Sequence, residues 1–388
     1  MEEMQKGFKL LHVATVAQSL YYFLDGQARY MQEQGANVHC VSSPGELLEL
    51  FSEREDVPVH GIEMARAISP FKDLVSLWRL CRLIKELRPD IVHAHTPKGG
   101  LLGMISAFLM RVPVRVYNVH GLPHVTATGF KYRLLCLTEK ISCALAHRVF
   151  CVSVSLAAQV RDEKLSSHDK VQVIHNGSIN GVDALVRFDP EKHDAGSLRD
   201  SLDIPRTALV VGFVGRLVKD KGIMELIASW DILREKFSDL HLLLVGPFED
   251  KDSIPVAAKQ KLESDERIHL IGHVDDPAPY YAVMDVLSFP THREGFGLVA
   301  IEASAMRVPV VATCIPGCVD SVSDGVTGTL VPKCDADALE KALSTYLVDP
   351  LLRSKHGVAG RKRVLEDFQP STIWKDLHNE YIDLLNVK

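Results

Sequence analysis

Glu294 and Glu302 are separated by seven residues in the stretch Arg293-Glu294-Gly295-Phe296-Gly297-Leu298-Val299-Ala300-Ile301-Glu302. Ionised carboxylates accept hydrogen bonds, so a pair spaced in this way suits a ligand rich in hydroxyls. Gly295 and Gly297 permit tight turns and close backbone approach. A helix is predicted from about Leu298, and its unpaired N–H groups would form an anion site fit for a diphosphate. Glu302 then lies just over one turn inside that helix, where it can take the vicinal hydroxyls of a ribose. Glu294, at a strand tip, is placed to meet the hydroxyls of a sugar. A second stretch reads Gly212-Phe213-Val214-Gly215-Arg216, followed by Lys219, Lys221 and Gly222. Arginine binds phosphate through two parallel N–H groups, and lysine adds a compact positive charge. Arg216 and Lys221 could together neutralise a departing diphosphate. Either motif alone is commonplace, because exposed Arg, Lys and Glu are usually just solvated. Their weight comes from occurring in order, each at a strand-to-helix turn of what reads as one domain.

The elements that must position these groups follow a repeating pattern. Short β-branched runs are predicted as strands at 8–15, 37–43, 90–96, 114–120, 148–153 and 171–176. Helical periodicity lies between them, as in 73–87, where Leu74, Leu77, Trp78, Cys81, Ile84 and Leu87 recur at helical spacing. Strands that are apolar throughout and alternate with helices indicate a parallel sheet covered on both faces. The pattern restarts with strands at 209–215, 241–246, 268–274, 286–290, 310–313 and 329–331. Between the two series lie the turn signals Asn180-Gly181, Asp189-Pro190 and Gly196. The reading is two doubly wound α/β domains, 1–190 and 191–370. In such sheets ligands sit outside the carboxyl ends of the strands. Two domains facing one another would place the main site in a cleft. Dehydrogenases, epimerases and periplasmic binding proteins share this architecture, so the residues at the strand tips must decide. A dehydrogenase is disfavoured because no G-x-G-x-x-G follows an early strand.

Composition narrows the field further. With 46% hydrophobic and 24% charged residues, the chain is of ordinary globular type. A net charge of −6 argues against a general nucleic-acid binder. Residues 1–183 carry 20 Lys and Arg against 18 Asp and Glu, and the remainder 24 against 32. The first half is therefore the better suited to an anionic partner. The eight cysteines are scattered; only Cys314 and Cys318 are close, and no second pair completes a zinc site. The opening Met-Glu-Glu-Met-Gln-Lys lacks the form of a secretory signal, and Leu101–Met110 falls far short of the roughly 20 residues a membrane span requires. The expectation is a cytosolic chain with reduced thiols that could lie on a membrane. The D-x-D strings Asp250-Lys251-Asp252 and Asp335-Ala336-Asp337 read as a polar loop and a helix start, not as metal sites.

The two motifs, together with Gly272-His273-Val274, Asn176-Gly177 and Gly181-Val182-Asp183, resemble family 4 of the GT-B glycosyltransferases over nearly the whole chain. The resemblance implies two facing Rossmann-like domains and retaining transfer from a nucleotide sugar, which is a co-substrate, with no cofactor and no metal. It implies an acceptor-binding first domain and a donor-binding second domain. It assigns Glu294 to the donor sugar, Glu302 to the ribose, and Arg216 and Lys221 to the diphosphate beside Gly215. The backbone of Phe296, Gly297 and Leu298 would cradle the phosphates, and that of Val274 would meet the base. Val119-His120-Gly121 matches the family's active-site histidine, which would touch the transferred sugar or the acceptor. No carboxylate of the first domain stands out as a nucleophile. The resemblance thus implies a front-face reaction in which the departing phosphate helps deprotonate the acceptor hydroxyl. A last helix over 371–388 would cross back to the first domain, anchored by Trp374, Tyr381 and Ile382.

Thr96-Pro97-Lys98-Gly99-Gly100-Leu101-Leu102-Gly103, with Gly177–Asp183, looks like a subgroup acting on lipid-diphosphate-linked sugars in bacterial polysaccharide or glycan assembly. Lys98 and Gly99 would hold the acceptor's diphosphate at a helix N-terminus. The donor suggested is a UDP-hexose or a UDP-N-acetylhexosamine. His93 and His95, in the preceding strand, read as structural. The family's glycine pair in the first strand-to-helix loop is absent here. Tyr21, Tyr22 and Phe23 follow that loop, and either an acceptor-side or a packing role suits them. The segment 129–137 mixes Phe130, Tyr132 and three leucines with Lys131 and Arg133, as a helix resting on anionic lipid would. Peripheral binding at the inner face of the plasma membrane is therefore expected. A nucleotide-sugar epimerase or hydrolase of the same fold, or a non-catalytic nucleotide-sugar-binding protein, are the competing readings.

Overall fold

The computed structural model describes residues 7–65, 69–250 and 252–387. The opening residues 1–6 and Lys251 of the first D-x-D string lie outside the described residues. The chain forms two compact units, 1–180 with 370–388, and 181–369. The sequence had suggested a break near 190. The segment 181–190 instead belongs to the second unit, because its backbone is held there. Val182 N–H donates to Phe368 O at 2.9 Å, and Arg361 reaches both Phe188 O and the Asp189 carboxylate at 3.1 Å.

The first unit is built on seven parallel strands: β1 (Lys9–Val13), β2 (Asn37–Ser42), β3 (Val59–Gly61), β4 (Ile91–His95), β5 (Val114–Val119), β6 (Arg148–Cys151) and β7 (Val171–Gln172). Their order is β3-β2-β1-β4-β5-β6-β7, a doubly wound sheet that reverses between β1 and β4. The short β3 was not predicted, since three residues carry no readable period. The helices are α1 (Ala17–Phe23), α2 (Gln27–Glu33), α3 (Glu46–Glu55), α4 (Pro70–Leu87), α5 (Pro97–Leu109), α6 (Gly129–Leu145) and α7 (Val154–Asp162). The α4 stripe differs from the one its periodicity suggested. Ser76, Leu80 and Ile84 are buried, whereas Phe71, Leu74, Val75 and Trp78 are exposed. Ser76 can face inward because its hydroxyl is satisfied by Glu63 O and Lys72 O.

The C-terminal helix Pro370–Asn386 belongs to this unit, buried through Ile373, Leu377 and Tyr381. Trp374 packs on Tyr30 and donates to Asn180 Oδ1 at 2.6 Å. Full burial of three such side chains is worth on the order of 1.5–3 kcal/mol each, which explains why the helix leaves the unit that precedes it in sequence.

In the second unit the strands are β8 (Leu209–Val214), β9 (Leu240–Val245), β10 (Ile268–Gly272), β11 (Val286–Phe289), β12 (Val310–Thr313) and β13 (Gly328–Val331). They lie parallel in the order β10-β9-β8-β11-β12-β13, so this sheet reverses between β8 and β11. Helices α8 (Ala195–Ser201), α9 (Ile223–Lys236), α10 (Val256–Ser264), α11 (Ala278–Tyr281), α12 (Leu298–Ala305), α13 (Cys318–Ser321), α14 (Ala336–Val348) and α15 (Pro350–Asp367) cover it. Trp230, Phe213 and Tyr346 anchor its core. Asp335 caps α14 by accepting from Ala338 N–H, the ordinary role of an aspartate at a helix start.

Candidate active site

Both sequence motifs of the second unit fall at its point of strand reversal. β8 leads into Gly215-Arg216 and the turn 219–221, and its neighbour β11 leads into Thr291–Gly297 and α12. Doubly wound sheets hold their ligands at this crevice. The two loops are tied together. Lys221 Nζ pairs with the Glu294 carboxylate, and Arg293 pairs with Asp220 at 3.0 Å. His292 N–H donates to Asp220 O at 2.9 Å. Gly222 is required by this contact: its φ is +74°, and a Cβ there would lie 2.0 Å from Pro290 O. Arg216 instead pairs with Glu249 at 2.8 Å, with both side chains about two-fifths exposed. An exposed pair of this kind is worth little, so little is lost when the guanidinium turns to another anion.

α12 starts at Gly297, whose φ is +85°. Phe296 and Gly297 are buried beside that start and Leu298 is half-buried, with Phe296 packed edge-on against Phe368. Glu302 accepts a 2.7 Å hydrogen bond from the buried Tyr281 hydroxyl. Burial raises the Glu302 carboxyl above its ordinary range, and the Tyr281 hydrogen bond opposes that rise. Val274 is half-buried in the loop between β10 and α11. The sequence reading missed Asp220, which clamps the loops, and Tyr281, which orients Glu302. Asp220 lies between two candidate phosphate ligands and could have been suspected; nothing in the sequence marks Tyr281.

In the first unit His120 directly follows β5. Its ring stacks on Phe23 at 4.4 Å, so Phe23 packs against this candidate. Burial lowers the His120 pKa below the ordinary histidine value, leaving a neutral imidazole. His95 and Asn118 lie 3.1 and 3.2 Å from its Nε2. His93 bonds the Tyr381 hydroxyl through Nδ1 at 2.6 Å, the structural role expected of it.

Lys98 is the second residue of α5, and its ammonium donates to the Asp73 carboxylate at 2.8 and 3.0 Å. Gly99 departs from the phosphate-cradle expectation. It is buried, and its N–H donates to Thr15 Oγ1 at 2.9 Å. A Cβ there would meet Thr15 N and Thr96 Oγ1 at 3.0 Å, and one on Gly100 would lie 2.1 Å from the Tyr117 ring. These glycines let α5 approach the sheet. Thr96, between β4 and α5, has φ +66°, a strained value for a β-branched residue. It is held by the Thr15 hydroxyl at 2.8 Å and by Gly100 N–H at 2.7 Å.

Residues 23–177 match the model of the glycosyl transferase 4-like domain, and residues 208–349 that of the glycosyl transferases group 1. The chain is 38% identical over 377 residues to the capsular polysaccharide biosynthesis glycosyltransferase CapM of Staphylococcus aureus, covering 97% of each chain. It is 27% identical over 300 residues to the N,N'-diacetylbacillosaminyl-diphospho-undecaprenol alpha-1,3-N-acetylgalactosaminyltransferase of Campylobacter jejuni, covering 75% of this chain and 77% of that one. Among solved structures, Anabaena Alr3699/HepE in complex with UDP and glucose superposes with a TM-score of 0.81 at 20% identity, covering 97% of this chain and all of that one. The chain belongs to the family 4 glycosyltransferases of the GT-B fold.

Proposed function

We propose that this glycosyltransferase moves a sugar, with retention, from a UDP-hexose or UDP-N-acetylhexosamine to a lipid-diphosphate-linked saccharide during surface polysaccharide or glycan assembly. The observation that carries the donor side is the meeting of Lys221, Glu294 and the start of α12 at the β8/β11 reversal. There the N–H groups of Phe296, Gly297 and Leu298, with Arg216 and Lys221, would hold the diphosphate as its charge grows on departure. Glu302 would take the ribose, Val274 the base and Glu294 the sugar hydroxyls. The leaving phosphate would then receive the acceptor's proton. His120 would contact the transferred sugar, with no metal taking part. The relatives' names support the acceptor, since the Campylobacter jejuni enzyme is named for a diphospho-undecaprenol-linked sugar. HepE was solved with UDP-glucose, in keeping with the donor.

The surface of the first unit favours a lipid-borne acceptor. Phe71, Leu74, Val75 and Trp78 are exposed on the first half of α4, as are Phe130, Tyr132 and Leu137 on the first half of α6. In a parallel sheet these helices both begin at the carboxyl edge, where His120 lies. Lys72, Arg79, Lys131 and Arg133 are exposed among them. Apolar groups ringed by basic ones suit an anionic lipid surface, here the inner face of the plasma membrane. Among the described residues no helix is long and apolar enough to cross a membrane. A panel of nucleotide sugars with lipid-diphosphate saccharides, read by mass spectrometry with and without EDTA, tests the proposal. Turnover of donor without acceptor would favour the epimerase or hydrolase reading, and lost activity restored by Mg²⁺ would overturn metal independence.

A further inference from the structure

A chain of imidazoles runs behind His120. His12 Nδ1 lies 3.0 Å from His95 Nε2, and His95 Nδ1 lies 3.1 Å from His120 Nε2. The chain crosses the β1/β4 reversal, where His12 pairs in register with His93 and His95 with Asn118. His12 and His95 are fully buried. Burial holds the His12 pKa at about 3 and depresses that of His95, so both rings are neutral.

We propose that His12 and His95 are positioning residues that hold His120 in the tautomer with its proton on Nδ1, so that His120 offers an N–H donor to a ligand oxygen. The proposal rests on His120 being a contact to the transferred sugar. A neutral imidazole has one N–H and one bare nitrogen, so the two bonds can be polarised in only two ways. If the protons point away from His120, the chain ends on a His12 Nε2–H. That atom is buried and has no partner among the described residues. Buried N–H groups without an acceptor are rarer in native structures than under-satisfied acceptors. If they point toward His120, His12 Nδ1–H donates to His95 Nε2, and His95 Nδ1–H donates to His120 Nε2. Only a bare nitrogen is then left on His12. Asn118 agrees with this direction, because its amide nitrogen faces the same His120 Nε2 at 3.2 Å and requires an acceptor there. The proton of His120 must therefore sit on Nδ1. His12, His93 and His95 also bring ring nitrogens within 4.8 Å of one another, so a bound metal ion is the competing use of the cluster.

Long-range ¹H–¹⁵N correlation on the full chain with ¹⁵N-labelled histidine reads the tautomer, with His120 assigned by its loss in His120→Phe. Wild type should show a protonated Nδ1 and a bare Nε2. His95→Phe should mix the tautomers and lower kcat about tenfold with little change in KM, the scale of one lost hydrogen bond. His95→Gln keeps an accepting oxygen and a donating N–H, and should preserve both tautomer and turnover. His12→Phe, one bond further away, should mix the tautomers less, and it serves should His95→Phe fail to fold. A protonated Nε2 in wild type, an unchanged tautomer in His95→Phe and His12→Phe, or stoichiometric zinc in the purified protein would each overturn the relay. Near-normal turnover in His120→Phe would overturn the sugar contact instead, while the spectra still judged the relay.

Discussion

Glu139 offers the most quantitative test of the first unit. It lies on α6 with 2% of its surface exposed, and accepts a 2.7 Å hydrogen bond from the Tyr117 hydroxyl of β5. It thereby ties the helix carrying Phe130 and Lys131 to the strand that delivers His120. Burial raises its carboxyl from an ordinary 4.5 to about 7, against the lowering effect of Tyr117. A folded-state pKa above the unfolded one means that the native state binds the extra proton between the two values. Stability is therefore highest below about pH 4.5 and falls as pH rises through 7. A shift of this size corresponds to about 3 kcal/mol by pH 8. Glu139→Gln keeps an acceptor for Tyr117 and cannot ionise, so it should remove that slope. Urea unfolding at pH 5, 6, 7 and 8 measures it, following ¹⁹F or tryptophan probes confined to residues 7–180 because two units need not unfold together. Wild type and variant should differ by no more than about 1 kcal/mol at pH 5 and separate by about 3 kcal/mol at pH 8, with the variant the more stable. Parallel curves for the two proteins would refute a buried, protonated Glu139.

Tyr281→Phe removes a hydrogen bond to a carboxylate, worth about 1.5–3 kcal/mol, and should push the Glu302 carboxyl further up. Ribose hydroxyls need the ionised form, so UDP affinity should fall more steeply with decreasing pH in the variant than in wild type; calorimetry giving the same pH dependence in both proteins would sink the assignment. Arg216→Ala and Lys221→Ala should each lower turnover by about 10²–10³, as for loss of one transition-state electrostatic contact. Near-normal rates in both would move the diphosphate site elsewhere. Flotation with anionic liposomes should be lost in Lys131→Glu/Arg133→Glu and weakened in Trp78→Ser, and should fall with salt. Equal flotation of the three proteins would leave the exposed apolar groups of α4 and α6 without a lipid partner.

The sequence alone determined the doubly wound architecture, because strands buried on both faces and amphipathic helices leave periods that survive without tertiary context. It also located Arg216, Lys221 and Glu294 at strand-to-helix turns and Glu302 in the helix that follows, since glycine and charge at a strand end are local signals. Only the tertiary structure decided which groups meet. The Lys221–Glu294 pair, the Arg293–Asp220 clamp and the Tyr281–Glu302 hydrogen bond each join residues from separate strand-to-helix units, brought together by the order of strands. Tertiary packing also reassigned Gly99, whose smallness serves the approach of α5 to Thr15 and Thr96. It turned Leu74 and Trp78 of α4 outward, because helical periodicity names an apolar stripe but not the neighbour it meets. His12 and His95 lie 83 positions apart, and only the β1/β4 register, which long-range burial of both strands imposes, sets their rings 3.0 Å from one another.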